Sequence, residues 1–307
     1  MKGMSRFAFA VLGIIIFALS AAFAGCGGSA DKPAAAPAAP EMKVLRVGAI
    51  PAEDSQKTRE NYKSLGNYLQ KKTGLPVEIF VATDYSGVIE AMRAGKLDIA
   101  MFGPFSYVLA ADKAGAEAFA VEIRKGSGTS YQSVVVTHPG SGINTLADLK
   151  GRTYAFVDPA STSGNLIPRS FYKKNNIDPD KDFKSVIYAG GHDAAALAVK
   201  NRKVDAASMD DITFNNMKEK GLITPDQDIK IIFKSDPIPG SPWAWRKDLP
   251  AELKGKIKDA FMNVAKEDQA ALSAYGGKVE GYADTKDANY NVIRETAKIL
   301  NLDLSKK

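Results

Sequence analysis

The chain has 307 residues, of which 45% are hydrophobic and 25% charged, with one cysteine, two histidines and a formal net charge of +6. One cysteine excludes an internal disulfide, so stability must come from a buried core, and two histidines leave little for a zinc site. Lys2 and Arg6 supply two of the positive charges, and the remaining Lys and Arg are scattered, which argues against a nucleic-acid partner and fits a mild attraction for anions.

In chain order, the basic start is followed by an almost wholly apolar run from Phe7 to Phe23 and by Ala24-Gly25-Cys26. Residues 1–25 read as a secretory signal rather than as a spanning helix of the mature protein. The stretch resembles the lipobox of bacterial lipoproteins, with Phe23 a departure from it, and this implies a lipid anchor on Cys26. The alternative is an ordinary cleaved signal with an incidental cysteine. Residues 26–42 are Gly, Ser, Ala and Pro with few charges, the composition of a flexible tether.

From residue 43 strands and helices alternate. Strands are expected at 44–50, 77–81, 97–102 and 119–123, with helices at 58–72, 88–94 and 107–113 between them. After residue 140 the pattern restarts. It gives a helical turn at 146–151, strands at 153–157, 185–188, 204–208 and 229–233, and helices at 166–174 and 194–200. The tail reads as helices at 251–265, 269–275 and 288–300. Lys96-Leu97-Asp98-Ile99-Ala100 and Lys203-Val204-Asp205-Ala206-Ala207 each follow a helix and open a strand, a short internal repeat. The expected fold is α/β, with two lobes built on mostly parallel sheets flanked by helices.

Ligands of such sheets bind beyond the carboxyl ends of the strands. The loops there carry Asp84-Tyr85, Ser161-Thr162-Ser163, Gly190-Gly191-His192 and Met209-Asp210-Asp211, rich in hydroxyls and helix-start residues and without Lys or Arg. Such loops would hold an anion with dipoles and hydrogen bonds rather than with paired charges. Each residue also has a plainer reading. The Ser-Thr-Ser run and the two aspartates suit helix caps. Tyr85 suits a core and His192 a cap or surface. His138 reads as hinge or surface, and at least one of Trp243 and Trp245 as core.

Several stretches together resemble a known family. They are Ala82-Thr83-Asp84-Tyr85-Ser86-Gly87, Asp98-Ile99-Ala100-Met101-Phe102-Gly103-Pro104, Ser161-Thr162-Ser163-Gly164, Ala189-Gly190-Gly191-His192 and Ile238-Pro239-Gly240-Ser241-Pro242. In order and spacing they look like the phosphonate- and phosphite-binding proteins of bacterial ABC transporters, a branch of the type II periplasmic binding proteins. The resemblance implies a two-lobed clamp, with residues 43–138 plus 237–307 in lobe 1 and 139–236 in lobe 2. It implies a tetrahedral oxyanion on Ser161, Thr162 and Ser163, with Tyr85 and His192 also in contact. Phe102 would replace a tyrosine of relatives by an apolar wall. Ile212 and Ser241 fall where relatives that take 2-aminoethylphosphonate hold its ammonium with carboxylates. Neither can neutralise an ammonium, so phosphite, methylphosphonate or phosphate is the expected ligand. Asp210 or Asp211 at the anion would accept a hydrogen bond from a protonated P–OH and so reject sulfate.

The function expected is a monomeric, non-enzymatic binding component of an ABC importer, needing no cofactor or metal. It would sit on the periplasmic or cell-surface side of a membrane and dock on a permease. A receptor feeding a membrane sensor is the alternative. A phosphoesterase is a remote one, because no nucleophile elbow or metal cluster is present in the sequence.

Overall fold

Two mixed β-sheets, each flanked by helices, carry the fold in this computed structural model, which describes residues 42–272 and 278–302. The signal and Cys26 lie outside the described residues. The first half runs β1 (Leu45–Ala49), α1 (Ser55–Thr73), β2 (Val77–Val81), α2 (Tyr85–Arg93), β3 (Ile99–Met101), α3 (Pro104–Ala114) and β4 (Ala116–Arg124). The chain then passes through β5 (Ser130–Tyr131) into β6 (Ser133–Thr137), β7 (Thr153–Phe156), α4 (Ile167–Lys174), α5 (Pro179–Asp182) and β8 (Ser185–Tyr188). There follow α6 (His192–Lys200), β9 (Ala206–Asp210), α7 (Asp211–Glu219), β10 (Lys230–Lys234) and β11 (Ile238–Pro239). The return to the first sheet adds β12 (Pro242–Arg246), α8 (Ala251–Glu267), β13 (Val279–Asp284) and α9 (Asn291–Ile299).

The first sheet has the order β13-β4-β12-β3-β1-β2 and the second β10-β6-β9-β7-β8, while β5 and β11 form a small antiparallel pair. The βαβ units pair in parallel, as β1 does with β2 and β3, and β7 with β8 and β9. The sheets are mixed rather than mostly parallel because the segments that cross or return between halves, β4, β6, β10, β12 and β13, add antiparallel strands. One boundary also moves. Residues 133–137, placed on sequence in the first lobe, pair with β9 and β10 in the second sheet. All five residues of β6 are buried, and the strand lies inside the second sheet between β10 and β9.

Local chemistry sets the element ends. Asp54 caps α1 by accepting the Lys57 N–H, and Gly74, at φ 76°, closes it in the left-handed region after Lys71 and Lys72. In the first half, Trp243 is fully buried, with the rings of Tyr62 and Phe261 at 5.6 and 5.0 Å. Trp245, two residues on, is half-buried and stacks on Phe119 at 4.2 Å. In the second half Tyr154, Phe156, Tyr172 and Phe183 pack together, and the Tyr172 hydroxyl donates to that of Tyr154 at 2.8 Å. His138 caps a short turn, its Nδ1 accepting the Gly140 N–H at 3.0 Å.

The internal repeat has a structural role. The Asp98 carboxylate, fully buried, accepts the N–H of Arg46 in β1 at 2.8 Å. The Asp205 carboxylate accepts the N–H of Thr153 in β7 at 2.8 Å. Each aspartate thus fastens the strand it opens to the parallel strand beside it, β3 to β1 and β9 to β7. Asp98 also binds Arg46 Nη2 at 2.7 Å and Arg246 Nε at 2.9 Å. Replacing Asp98 by Ala leaves the Arg46 amide without its acceptor and removes the buried carboxylate from two guanidinium groups, which keep only Gly95 and Asp248 as oxygen partners among the described residues. Both arginines keep some contact with water, so Asp98→Ala should cost about 2–4 kcal/mol, somewhat below the loss from a wholly buried pair. A lowered urea midpoint with an unchanged slope would show it.

Candidate functional site

β1, β3, β7 and β9 end at a common place, and a small cavity lies there. It leaves about 10 Å³ for the centre of a water molecule. Its wall takes Ile50, Ala52, Tyr85, Met101 and Gly103 from the first half. From the second come Ser161, Thr162, Ser163, His192, Asp210 and Ile212, with Tyr131 and Ser241 at the crossings between halves.

The turn after β7 is fixed from several sides. Ser161 has extended backbone, and its Oγ accepts the Gly164 N–H at 3.1 Å, so it is a helix cap as well as part of the wall. The chain then makes a wide π-helical turn over Thr162–Leu166 before α4 begins. The Gly164 carbonyl accepts from the Val157 N–H at 3.1 Å and the Ser208 hydroxyl at 2.7 Å. The Ser163 carbonyl accepts from the Ser133 hydroxyl at 2.6 Å. A Cβ at Gly164 would lie 2.4 Å from Val157, so only glycine lets this turn pack on β7.

The hydroxyls of Tyr85 and Tyr131 face this turn, the first beside Ser161 and the second beside Thr162 and Ser163. Burial pushes both phenols up, well clear of neutral pH, so both remain hydrogen-bond donors. Thr162 Oγ1 accepts the Phe105 N–H of the first half at 2.8 Å. Asp158, whose carboxyl burial pushes up, accepts the N–H groups of Ala160 at 2.7 Å and Tyr85 at 3.3 Å.

His192 is held by both ring nitrogens. Its Nδ1 accepts the Asp210 N–H at 2.9 Å, which puts the ring proton on Nε2. Nε2 lies 3.2 Å from Asp210 Oδ2 and 3.4 Å from the Tyr85 hydroxyl. Asp210 Oδ1 accepts the Thr213 N–H and so caps α7. The imidazole thus orients a carboxylate and a phenol that both face the cavity.

Five helix starts meet here: those of α2, α3, the turn into α4, α6 and α7. Among the described residues of the wall none is Lys or Arg. The arrangement can bind a small anion through hydroxyls, amides and helix dipoles.

Two expected site residues lie elsewhere. Phe102 is fully buried in the core. Alternation along the strand end sends Met101 and Gly103 to the wall and Phe102 away from it. Asp211 accepts the Gln132 N–H at 2.9 Å and lines a neighbouring cleft with Arg124 and Lys234. Sequence reasoning missed Tyr131, whose only local signal is the run of hydroxyls Thr129-Ser130-Tyr131 after Gly128.

The family described as the periplasmic substrate-binding protein of a phosphonate ABC transporter matches residues 47–290. The chain is 38% identical over 245 residues to the phosphonates-binding periplasmic protein of Escherichia coli, covering 77% of this chain and 71% of that one. It is likewise 38% identical over 247 residues to the phosphate-import protein PhnD of Mycolicibacterium smegmatis, covering 77% and 76%. The crystal structure of a binding-protein component of an ABC phosphonate transporter from Pseudomonas aeruginosa superposes with a TM-score of 0.77 at 31% identity, over 83% of this chain and 86% of that one. The two mixed sheets flanked by helices are those of the periplasmic binding-protein fold. The chain belongs to the family of periplasmic substrate-binding proteins of phosphonate ABC transporters, which bind and deliver rather than catalyse.

Proposed function

We propose that this substrate-binding protein captures a compact phosphorus oxyanion, namely phosphite, methylphosphonate or phosphate, in preference to 2-aminoethylphosphonate. One observation carries the reading: hydroxyls and helix starts converge on a small cavity whose described wall has no cationic side chain. Ser161, Thr162, Ser163, Tyr85 and Tyr131 would donate to the oxygens, and His192 would hold Asp210 and Tyr85 in position. Ile212 and Ser241 in the wall carry no charge for an ammonium. The Asp210 carboxylate is already engaged by Thr213 and His192. The halves would part to admit the ligand and close on it, with 43–138 plus 237–307 and 139–236 as approximate lobes and the border moved before Ser133. Hydrogen bonds that join the halves support such a clamp: Phe105 to Thr162, His192 N–H to the Ala52 carbonyl at 2.8 Å, and Asp54 N–H to Asp193 at 3.2 Å.

Calorimetric titration of the full chain tests the reading. One of phosphite, methylphosphonate or phosphate should bind at least tenfold tighter than 2-aminoethylphosphonate, and sulfate should give no heat. Tight 2-aminoethylphosphonate would overturn the preference, and silence from every phosphorus compound would overturn the site.

Asp210 gives a second test. As an acceptor for P–OH it favours the monoanion, so methylphosphonate affinity should fall as pH rises through the ligand's second ionisation. Asp210→Asn offers an N–H instead and should flatten that fall. An unchanged profile would leave Asp210 as a cap only.

Cys26 as the site of a lipid anchor, with residues 27–42 as its tether, is part of the same proposal. Replacing Cys26 by Ser should move the protein from the membrane pellet to the soluble fraction of fractionated cells.

A further inference from the structure

A second cavity adjoins the first. It too leaves about 10 Å³ for the centre of a water molecule, and Tyr131, Ile212 and Ser241 line both. Its far wall includes Glu122 and Arg124 from β4, and Ser130. Glu122 and Arg124 are each 8% exposed, and Arg124 Nη2 donates to Glu122 Oε2. Glu122 Oε1 is buried and has no hydrogen-bond partner among the described residues. A buried carboxylate oxygen without a donor is costly, and one that lines a cavity shows where a donor belongs.

We propose that this second cavity is a subsite for the substituent on phosphorus, and that it selects a short hydroxyalkyl group whose O–H donates to Glu122 Oε1. The inference rests on the oxyanion reading of the first cavity. Charge decides against an ammonium. Arg124 already pairs with Glu122, and a second cation beside the guanidinium would meet repulsion with no further carboxylate in the described wall to offset it. A hydroxyl is neutral and donates once, to Oε1. A methyl or ethyl group would fill the space and leave Oε1 without a donor. Tyr131, Ile212 and Ser241 stand between the two cavities, and the proposal has one or two carbons of the substituent lie against them.

The test is a ligand series on the full chain by calorimetry. It compares methylphosphonate with hydroxymethylphosphonate, and ethylphosphonate with 2-hydroxyethylphosphonate and 2-aminoethylphosphonate. At least one hydroxyalkyl compound should bind about tenfold tighter than its alkyl counterpart, as a hydrogen bond to a carboxylate implies. The 2-aminoethyl compound should be weaker than the 2-hydroxyethyl one. Glu122→Met together with Arg124→Met replaces the pair by apolar side chains, a change that buried pairs commonly tolerate. In that variant the hydroxyalkyl-to-alkyl ratio should fall to one or below. Should the variant fail to fold, the wild-type series decides alone. Equal affinities within both pairs would overturn the subsite while leaving the oxyanion site intact. A 2-aminoethyl compound tighter than the 2-hydroxyethyl one would overturn the neutral-donor selection. If no phosphonate binds, the subsite falls together with the site it extends.

Discussion

An anion taken out of water needs its solvation replaced, and the described wall of this cavity offers no positive side chain to do it. The remaining source is the main chain. Each helix start carries roughly half an elementary positive charge on its unpaired N–H groups. Five such starts aim at one small volume. That requirement explains much of the architecture. Strands must end together so that helices can begin together, and the two halves must face each other through their carboxyl edges. Hydroxyls from Ser, Thr and Tyr then complete a shell of donors. Fixed dipoles of this kind need little reorganisation as a guest arrives, and they hold a tetrahedral group by direction as well as by charge.

The repeated aspartates show how the same edge is built twice. Asp98 and Asp205 immediately precede β3 and β9, and each accepts an amide from the beginning of the neighbouring strand, the second of β1 or the first of β7. Register across the parallel pair is fixed at the start of the strands, and the far ends are then level where the helix starts must meet. Asp98 has two arginines around it, whereas the second oxygen donor to Asp205 Oδ2 is the Thr153 hydroxyl at 2.8 Å. The two halves keep the backbone function of the aspartate and differ in how its remaining charge is satisfied.

Much of this was legible because its chemistry is local. Alternating strands and helices, the Ser-Thr-Ser turn before a helix, and the paired glycines before His192 all announce themselves within a few residues. What the sequence hid was set at long range. Phe102 was assigned to the wall, but its neighbours on either side face the cavity, a question of phase that a three-residue strand does not display. Asp210 and Asp211 are adjacent, and only the pairing of β9 with β6 decides which one faces the cavity. β6 has no polar alternation to mark it. Tyr131 reaches the site because β5 pairs with β11, more than a hundred residues on, and nothing near Tyr131 encodes that contact.

The contact between His192 and Ala52 joins two backbones, N–H to carbonyl, at the rim of the cavity. A latch of this kind does not depend on which side chains line the interior. Substitutions at wall positions such as Ile212 or Ser241 can therefore change which guest is preferred without rewriting the latch. Under the proposed clamp, selectivity and the lifetime of a closed form become separable traits, and new cargo can be accommodated without altering the contact that holds the halves together.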